Sequence, residues 1–370
     1  MRGRWQGGNR FTLLPEGKRF LPELFAAIES AQRTLYLELY LMESGTLATR
    51  MVDALCAAAR RGVTVRVLLD GYGSMKLSHA DRQRLRDAGV ALRFFNPLSW
   101  HRLGGNLSRD HRKLLVVDDR LAFTGGFGAV DAFVDAWYEV AVRIEGPVVA
   151  DWIGLFAQLW ESPLTRGRAA RCRWPEPAPI AALPDDMHGR MISGRGHRYQ
   201  AIRLSLHQRI ATAECRLWLC TPYFVPTFSL RRRLVRAARL GVDVRLLLPG
   251  SRHDHPGIRY AGQRFYARLL RAGVRIYEFQ PTFIHAKFVL ADDWTSIGSC
   301  NFDHWSLQWN LEANQEVEDV RFARDVAALF ERNFAASEEI HWAQWRRRPW
   351  MQRCREWVFG TLNGWMTRLR

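Results

Sequence analysis

Along the first hundred residues the apolar positions alternate between two rhythms. Residues 20, 21, 24, 25 and 28 are apolar, which predicts a helix over Phe20–Thr34 with one buried face. LYLELYL, Leu35–Leu41, then reads as a strand. A second helix is expected over Leu47–Arg61, closed by Gly62 as its C-cap. A strand over Val63–Leu69, a third helix over Ala80–Ala88 and a strand over Val90–Phe95 follow. Helices alternating with strands argue an α/β domain whose mixed, mostly parallel sheet is covered on both faces.

The second half repeats this order. Arg216–Cys220 answers the strand at Leu35–Leu41, and LVRAARLGVDVRLLLPG at 234–250 answers LCAAARRGVTVRVLLDG at 55–71. RLLRAGVRIYEFQP at 268–281 answers RLRDAGVALRFFNP at 84–97. Such long offsets mark a whole-domain duplication rather than a short-period solenoid. Two copies of one fold pair naturally about a pseudo-twofold axis, with equivalent segments face to face. The expected organisation is a first domain over residues 1–161, an irregular Pro-, Arg- and Gly-rich connection over 162–198, a second domain over 199–344 and a basic tail over 345–370.

One pattern with chemistry recurs in both halves. HRKLLVVD at 111–118 and HAKFVLAD at 285–292 share the spacing His-x-Lys-x4-Asp, giving His111, Lys113 and Asp118, then His285, Lys287 and Asp292. Read as strands, both runs put histidine and lysine on one face. An imidazole can act as nucleophile or proton shuttle near neutral pH, and an ammonium beside it suits a phosphate oxygen. Two such pairs make a site for a phosphodiester, one histidine on each side of the phosphorus. Lysine usage agrees: of 54 Lys plus Arg only Lys18, Lys76, Lys113 and Lys287 are lysine, and two of the four lie in these motifs. A planar guanidinium does not replace a compact ammonium in a tight site.

A histidine nucleophile needs its other ring nitrogen held by an acceptor. Glu139, 28 residues after His111, and Glu312, 27 after His285, are the candidates. Ser299 and Asn301, in the turn GSCN, can donate to phosphate oxygens. Metal-site patterns such as HExxH or CxxC are absent; His253 and His255, in SRHDHPG, read as solvated loop residues. The expected metal and cofactor complement is therefore none.

The net charge of +17 suits nucleic acid or an anionic membrane surface, and 15 tryptophans tilt the balance to membrane. Six cysteines without CxxC spacing read as reduced, mostly buried thiols. The N-terminal MRGRWQGGNR has no apolar signal-peptide core, and no window approaches a transmembrane span.

At the duplicated motif the chain resembles the phospholipase D superfamily. TPYFVP at 221–226, WTSIGSCNFDHWSLQWNLEAN at 294–314, VRIEGPV at 142–148 and GNRFTLLPEG at 8–17 look like bacterial cardiolipin synthases, most of all their B-type branch. The resemblance implies two phospholipase D-like domains with the site between them. It implies a phosphatidyltransferase that joins two phosphatidylglycerol molecules into cardiolipin through a phosphohistidine on His111, with His285 as acid and base. In it Glu139 and Glu312 orient the histidines, while Asp118 and Asp292 support the site structurally. Where the family has Gly-Gly-x-Asn, this chain has Gly125-Gly126-Phe127-Gly128, so no phosphate contact is carried onto Gly128. A lipid hydrolase, or a nuclease of the same superfamily, is the alternative; nucleic acid is not the expected partner. The implied location is the cytoplasmic face of the bacterial inner membrane, peripherally bound.

The tail, Trp345–Arg370, carries seven arginines and one glutamate. Trp350, Cys354, Trp357, Val358, Leu362, Trp365 and Leu369 share one helical stripe, with Arg353, Arg355 and Arg368 largely off it. A basic amphipathic helix of this kind reads as lying in a membrane interface, with Trp350, Trp357 and Trp365 as contacts. A terminal helix docked on the second domain is the competing expectation.

Overall fold

The structure, a computed structural model, describes residues 3–98, 108–166, 174, 180–195, 200–302 and 310–366. In the first half the strands are β1 (Gln6–Pro15), β2 (Thr34–Leu39), β3 (Thr64–Asp70), β4 (Ala91–Phe95), β5 (Leu114–Val117), β6 (Leu121–Gly125), β7 (Trp137–Tyr138) and β8 (Val140–Glu145). The second half has β9 (Met187–Arg195), β10 (Arg216–Cys220), β11 (Asp243–Pro249), β12 (Arg275–Phe279), β13 (Phe283–Ile284), β14 (Phe288–Ala291), β15 (Trp294–Gly298), β16 (Leu311–Glu318) and β17 (Ser337–Glu339).

Fifteen of these form one sheet in the order β17-β12-β11-β10-β14-β15-β16-β9-β1-β8-β6-β5-β2-β3-β4. Read outward from the β9–β1 seam, the two halves run through equivalent strands, the signature of the expected pseudo-twofold. The sheet is mixed. Its parallel part is confined to β2-β3-β4 and β10-β11-β12, the strands joined by helices. β5-β6 and β14-β15 are joined by tight turns, which permit only antiparallel neighbours.

Alternation along the strands builds the layers. Leu35, Leu37 and Leu39 of β2 pack on one face with the helices Gly17–Ser30 and Thr46–Arg60. Val289 and Ala291 of β14 pack on the corresponding face of the second half with Phe228–Arg239. The opposite faces of both halves share one core with the helices Val149–Trp160 and Val320–Ala335.

The expected irregular connection over 162–198 is corrected where it is described. Pro163–Arg166 is helical, and Met187–Arg195 is β9, paired with β1 and β16 at the centre of the sheet. Gly189 and Gly194 disguise this strand. At Gly189 the reason for glycine is close approach: a Cβ would lie 2.3 Å from the Phe11 ring.

The tail helix, Trp350–Met366, is docked, and its docked edge is not the apolar stripe. It meets the helix Pro256–Gln263 through Phe359, whose ring lies 5.6 Å from Tyr260. Arg264 donates to the Gly360 carbonyl at 2.6 Å, and buried Glu356 pairs with Arg348 at 2.8 Å. Trp350 and Trp357 are each 72% exposed, and Cys354 and Val358 are exposed too. The side chains of Leu362 and Trp365, and the whole of Arg368 and Leu369, lie outside the described residues.

Candidate active site

Both motif histidines sit just before a strand rather than on one. β5 begins at Leu114 and β14 at Phe288, so the expected strand face shared by histidine and lysine is corrected. Backbone bonds between the halves fix these approaches instead. The His285 N–H donates to the Tyr138 carbonyl at 2.8 Å, and the His111 N–H to the Leu311 carbonyl at 2.9 Å. Tyr138 and Leu311 immediately precede Glu139 and Glu312, so each glutamate is delivered to the histidine of the other half. Glu139 Oε2 lies 2.6 Å from His285 Nδ1. Glu312 Oε1 and Oε2 lie 3.0 and 3.1 Å from His111 Nδ1.

The lysines stay with their own histidines. Lys287 Nζ lies within 3.0 Å of both ring nitrogens of His285, donates to the His285 carbonyl, and is 3.6 Å from Glu139. Lys113 Nζ donates to the His111 carbonyl at 2.5 Å and lies over the Tyr40 ring. Both lysines are buried, as are Glu139, Glu312, Ser299 and Asn301. The Ser299 hydroxyl donates to Glu312 at 2.5 Å and accepts from the Ala313 N–H, so it braces the glutamate. The expectation that it faces phosphate is thereby corrected. Glycine at 126 is required, because a Cβ there would lie 2.3 Å from Glu139. Gly128 has no room for the family's asparagine either: a Cβ would lie 2.9 Å from the Leu41 carbonyl and 3.0 Å from Phe133.

Burial dominates the titration. It pushes His111 well below the ordinary imidazole range and His285 down to about 4, with the lysine charges adding to the effect. Without substrate, burial thus disfavours the charged form of both imidazoles. Burial lowers Lys113 to about 7 and also lowers Lys287. The two carboxylates diverge. Burial opposes ionisation of Glu139, but Lys287 and the His285 hydrogen bond hold it below the usual carboxylate range, whereas burial pushes Glu312 up to about 8. Their surroundings differ in the same sense, since Glu139 has Lys287 at 3.6 Å.

Asp118 and Asp292 are placed elsewhere. The Asp118 carboxylate accepts the N–H groups of Gln32, Arg33 and Thr34, tying the end of β5 to the start of β2. Asp292 does the same for Glu214, Cys215 and Arg216 at the start of β10. Both adopt φ of 51°, a left-handed turn that aspartate tolerates.

Two features escaped the sequence reading. Behind His111 lies a buried ionic network: Arg112 reaches Glu38 at 2.7 Å and Asp110 at 3.1 Å, while Asp70 accepts the Asp110 N–H at 2.8 Å. A glutamate inside LYLELYL and an aspartate ending VTVRVLLD were its signal. The register excludes a copy in the second half: Glu38 faces Leu114 as Cys220 faces Phe288, and Ala286 stands where Arg112 does. The second feature is His253. Its side chain is 1% exposed and only His255, at 65%, is solvated, which corrects the expectation for the pair. Among the described residues no group of three or more His, Cys, Asp or Glu is arranged to hold a metal ion, and no helix is long and apolar enough to cross a membrane.

Residues 24–160 and 206–334 match the family described as cardiolipin synthase, phospholipase D-like domain. Cardiolipin synthase B of Salmonella typhimurium is 35% identical over 333 residues, which cover 86% of this chain and 78% of that protein. Probable cardiolipin synthase YwiE of Bacillus subtilis is 31% identical over 89% of this chain and 66% of its own length. Among solved structures, the phosphatidylserine synthase of Haemophilus influenzae superposes with a TM-score of 0.74 over 93% of this chain and 90% of its own, at 12% identity, a likeness of fold.

Proposed function

The chain belongs to the cardiolipin synthase family of phospholipase D-like domains, and on that premise we propose that it is a phosphatidyltransferase converting two phosphatidylglycerol molecules into cardiolipin and glycerol. The observation that carries this is the pair of crossed contacts, His285 with Glu139 and His111 with Glu312, beside two buried lysines. His111 attacks the donor phosphorus through a neutral ring nitrogen, and the phosphorus–oxygen bond to glycerol breaks. His285, held in its protonated form by ionised Glu139 and the negative charge of the bound phosphodiester, gives the departing oxygen its proton and becomes neutral. It then takes a proton from the hydroxyl of a second phosphatidylglycerol, whose oxygen displaces His111. Ionised Glu139 supplies the acceptor that a proton-carrying His285 needs. Lys113, Lys287 and Asn301 offset the negative charge of the transferred group.

The same reading places the enzyme on a membrane rich in anionic lipid, on the cytoplasmic face of the bacterial inner membrane. The exposed Trp350 and Trp357 and the tail arginines support this. The test is incubation with phosphatidylglycerol vesicles and lipid mass spectrometry. Cardiolipin with released glycerol is the expected product; phosphatidic acid alone would make the protein a hydrolase, and no lipid product would remove the lipid reading.

A further inference from the structure

A group of side chains beside His285 takes no part in the phosphoryl transfer itself. Tyr223 follows β10, and His253 and Asp254 lie in the loop between β11 and the helix Pro256–Gln263. The Tyr223 hydroxyl donates to Asp254 Oδ2 at 2.5 Å, and His253 Nδ1 lies 3.0 Å from Asp254 Oδ1. The group adjoins the chemistry. The Tyr223 ring stands edge-on to His285 with centroids 6.4 Å apart, and Phe283 lies between His253, at 5.0 Å, and His285, at 5.8 Å. Trp137 completes the apolar surroundings of His285 at 4.9 Å. The charge of Asp254 reaches Lys287, and its own carboxyl is held below the usual range by His253 and Tyr223 against the effect of burial.

This side of the site has a chemical requirement of its own. The alcohol that leaves the donor takes its proton from His285, and the alcohol that attacks gives its proton to His285. Both therefore pass this face. A carboxylate accepts two hydroxyl protons, and a phenol both donates and accepts one, so together they match neighbouring hydroxyl groups. We propose that Tyr223 and Asp254 form a subsite for the vicinal hydroxyls of glycerol, in the headgroup that leaves and in the headgroup that attacks. Asp254 Oδ1 already lies 3.0 Å from His253 Nδ1, and Asp254 acts electrostatically with Lys287, so its charge is not left for an ammonium headgroup and a neutral polyol is favoured.

The inference rests on the transferase reading, and the test separates the two. The full chain is given phosphatidylglycerol vesicles with isotope-labelled glycerol and 1-propanol at equal concentration. Labelled phosphatidylglycerol and phosphatidylpropanol are then counted by mass spectrometry. The wild type is expected to prefer glycerol by at least about tenfold, because a site built to hydrogen-bond a hydroxyl rejects the analogue lacking it. Tyr223→Phe and Asp254→Asn are each expected to bring the preference within about threefold of parity. A merely structural role lowers both products in parallel and leaves their ratio unchanged, which would overturn the subsite. A wild type without preference between glycerol and 1-propanol would overturn it as well. If Asp254→Asn does not fold, Tyr223→Phe, which removes one oxygen atom, decides the matter. A wild type that transfers no phosphatidyl group at all would overturn both readings; transfer without preference overturns only this one.

Discussion

Glu139 Oε2 lies 2.6 Å from Nδ1 of His285, a residue 146 positions away in the other half of the chain. The reciprocal contact joins Glu312 to His111 across 201 positions. Neither half holds a complete histidine–carboxylate pair of its own, so the duplication is functionally interlocked.

This crossing sets the first prediction. Glu139→Gln and Glu312→Gln each replace the carboxylate that orients an imidazole by a neutral amide, with an expected fall in kcat of about 10²–10⁴-fold. In double-mutant cycles Glu139→Gln should couple to His285→Asn by about 1–3 kcal/mol of activation free energy, and far less to His111→Asn. Coupling within each half instead of between halves would contradict the geometry.

Lys113→Arg is predicted to be nearly as damaging as Lys113→Ala. Lys113 is buried, donates to the His111 carbonyl at 2.5 Å and lies over the Tyr40 ring, a space fitted to a compact cation. A guanidinium must displace one of these neighbours. Steady-state transfer assays should show both variants reduced by about a hundredfold or more. Near-normal kcat in the arginine variant would show that the space is not restrictive.

The depressed pKa of His285 makes stability fall on acidification. Its folded value of about 4 lies below the ordinary 6.5, so between these limits the unfolded chain binds a proton that the folded chain refuses. Stability from this group is full above 6.5 and is lost as pH falls toward 4. Glu312 acts oppositely: raised to about 8, it favours the folded chain below 4.5 and loses that advantage as pH rises through 8. Comparing His285→Gln with the parent isolates the first effect. In urea unfolding at pH 6.5 and 4.5 the variant should lose roughly 2–3 kcal/mol less stability than the parent. An equal loss in both proteins would mean that His285 titrates normally.

Asp118 carries no part of the proposed chemistry, because its carboxylate is held by the N–H groups of Gln32, Arg33 and Thr34. Asp118→Ala should cost about 2 kcal/mol in chemical denaturation, the range for hydrogen bonds to a charged group. Activity per folded molecule should stay near the parent's. A large kcat loss in a fully folded Asp118→Ala protein would return this residue to the active site.

The repeated His-x-Lys-x4-Asp pattern, the duplication and the alternation of helices and strands were legible because periodicity and spacing are properties of the chain itself. The crossing of Glu139 to His285 was not, since sequence distance points each glutamate to the nearer histidine and only β7–β13 pairing reverses the choice. β9 was hidden by Gly189, whose role depends on Phe11 in another strand. Burial of His253 depends on Phe283 and Tyr223, which come from two other segments.

The tail helix is docked along one edge and exposed along another, and that sharpens the test of the membrane expectation. One edge docks on the helix Pro256–Gln263 through Phe359 and Gly360, so deleting the tail would also uncover part of the second half. Trp350, Met351 and Trp357 belong to no such contact and are 72%, 56% and 72% exposed. Exposed indoles beside Arg353 and Arg355 fit an interface of headgroups and acyl chains, where each cationic residue near an anionic leaflet contributes on the order of 1 kcal/mol. Replacing Trp350, Met351 and Trp357 together by serine removes the apolar anchor and leaves the docked edge intact. The triple variant is predicted to lose flotation with phosphatidylglycerol vesicles, to keep its circular dichroism and melting behaviour, and to turn over substrate dispersed in detergent. High salt should weaken flotation of the parent by screening the arginines. Undiminished flotation of the triple variant would show that the tail is a purely structural helix and that the membrane is met by another surface.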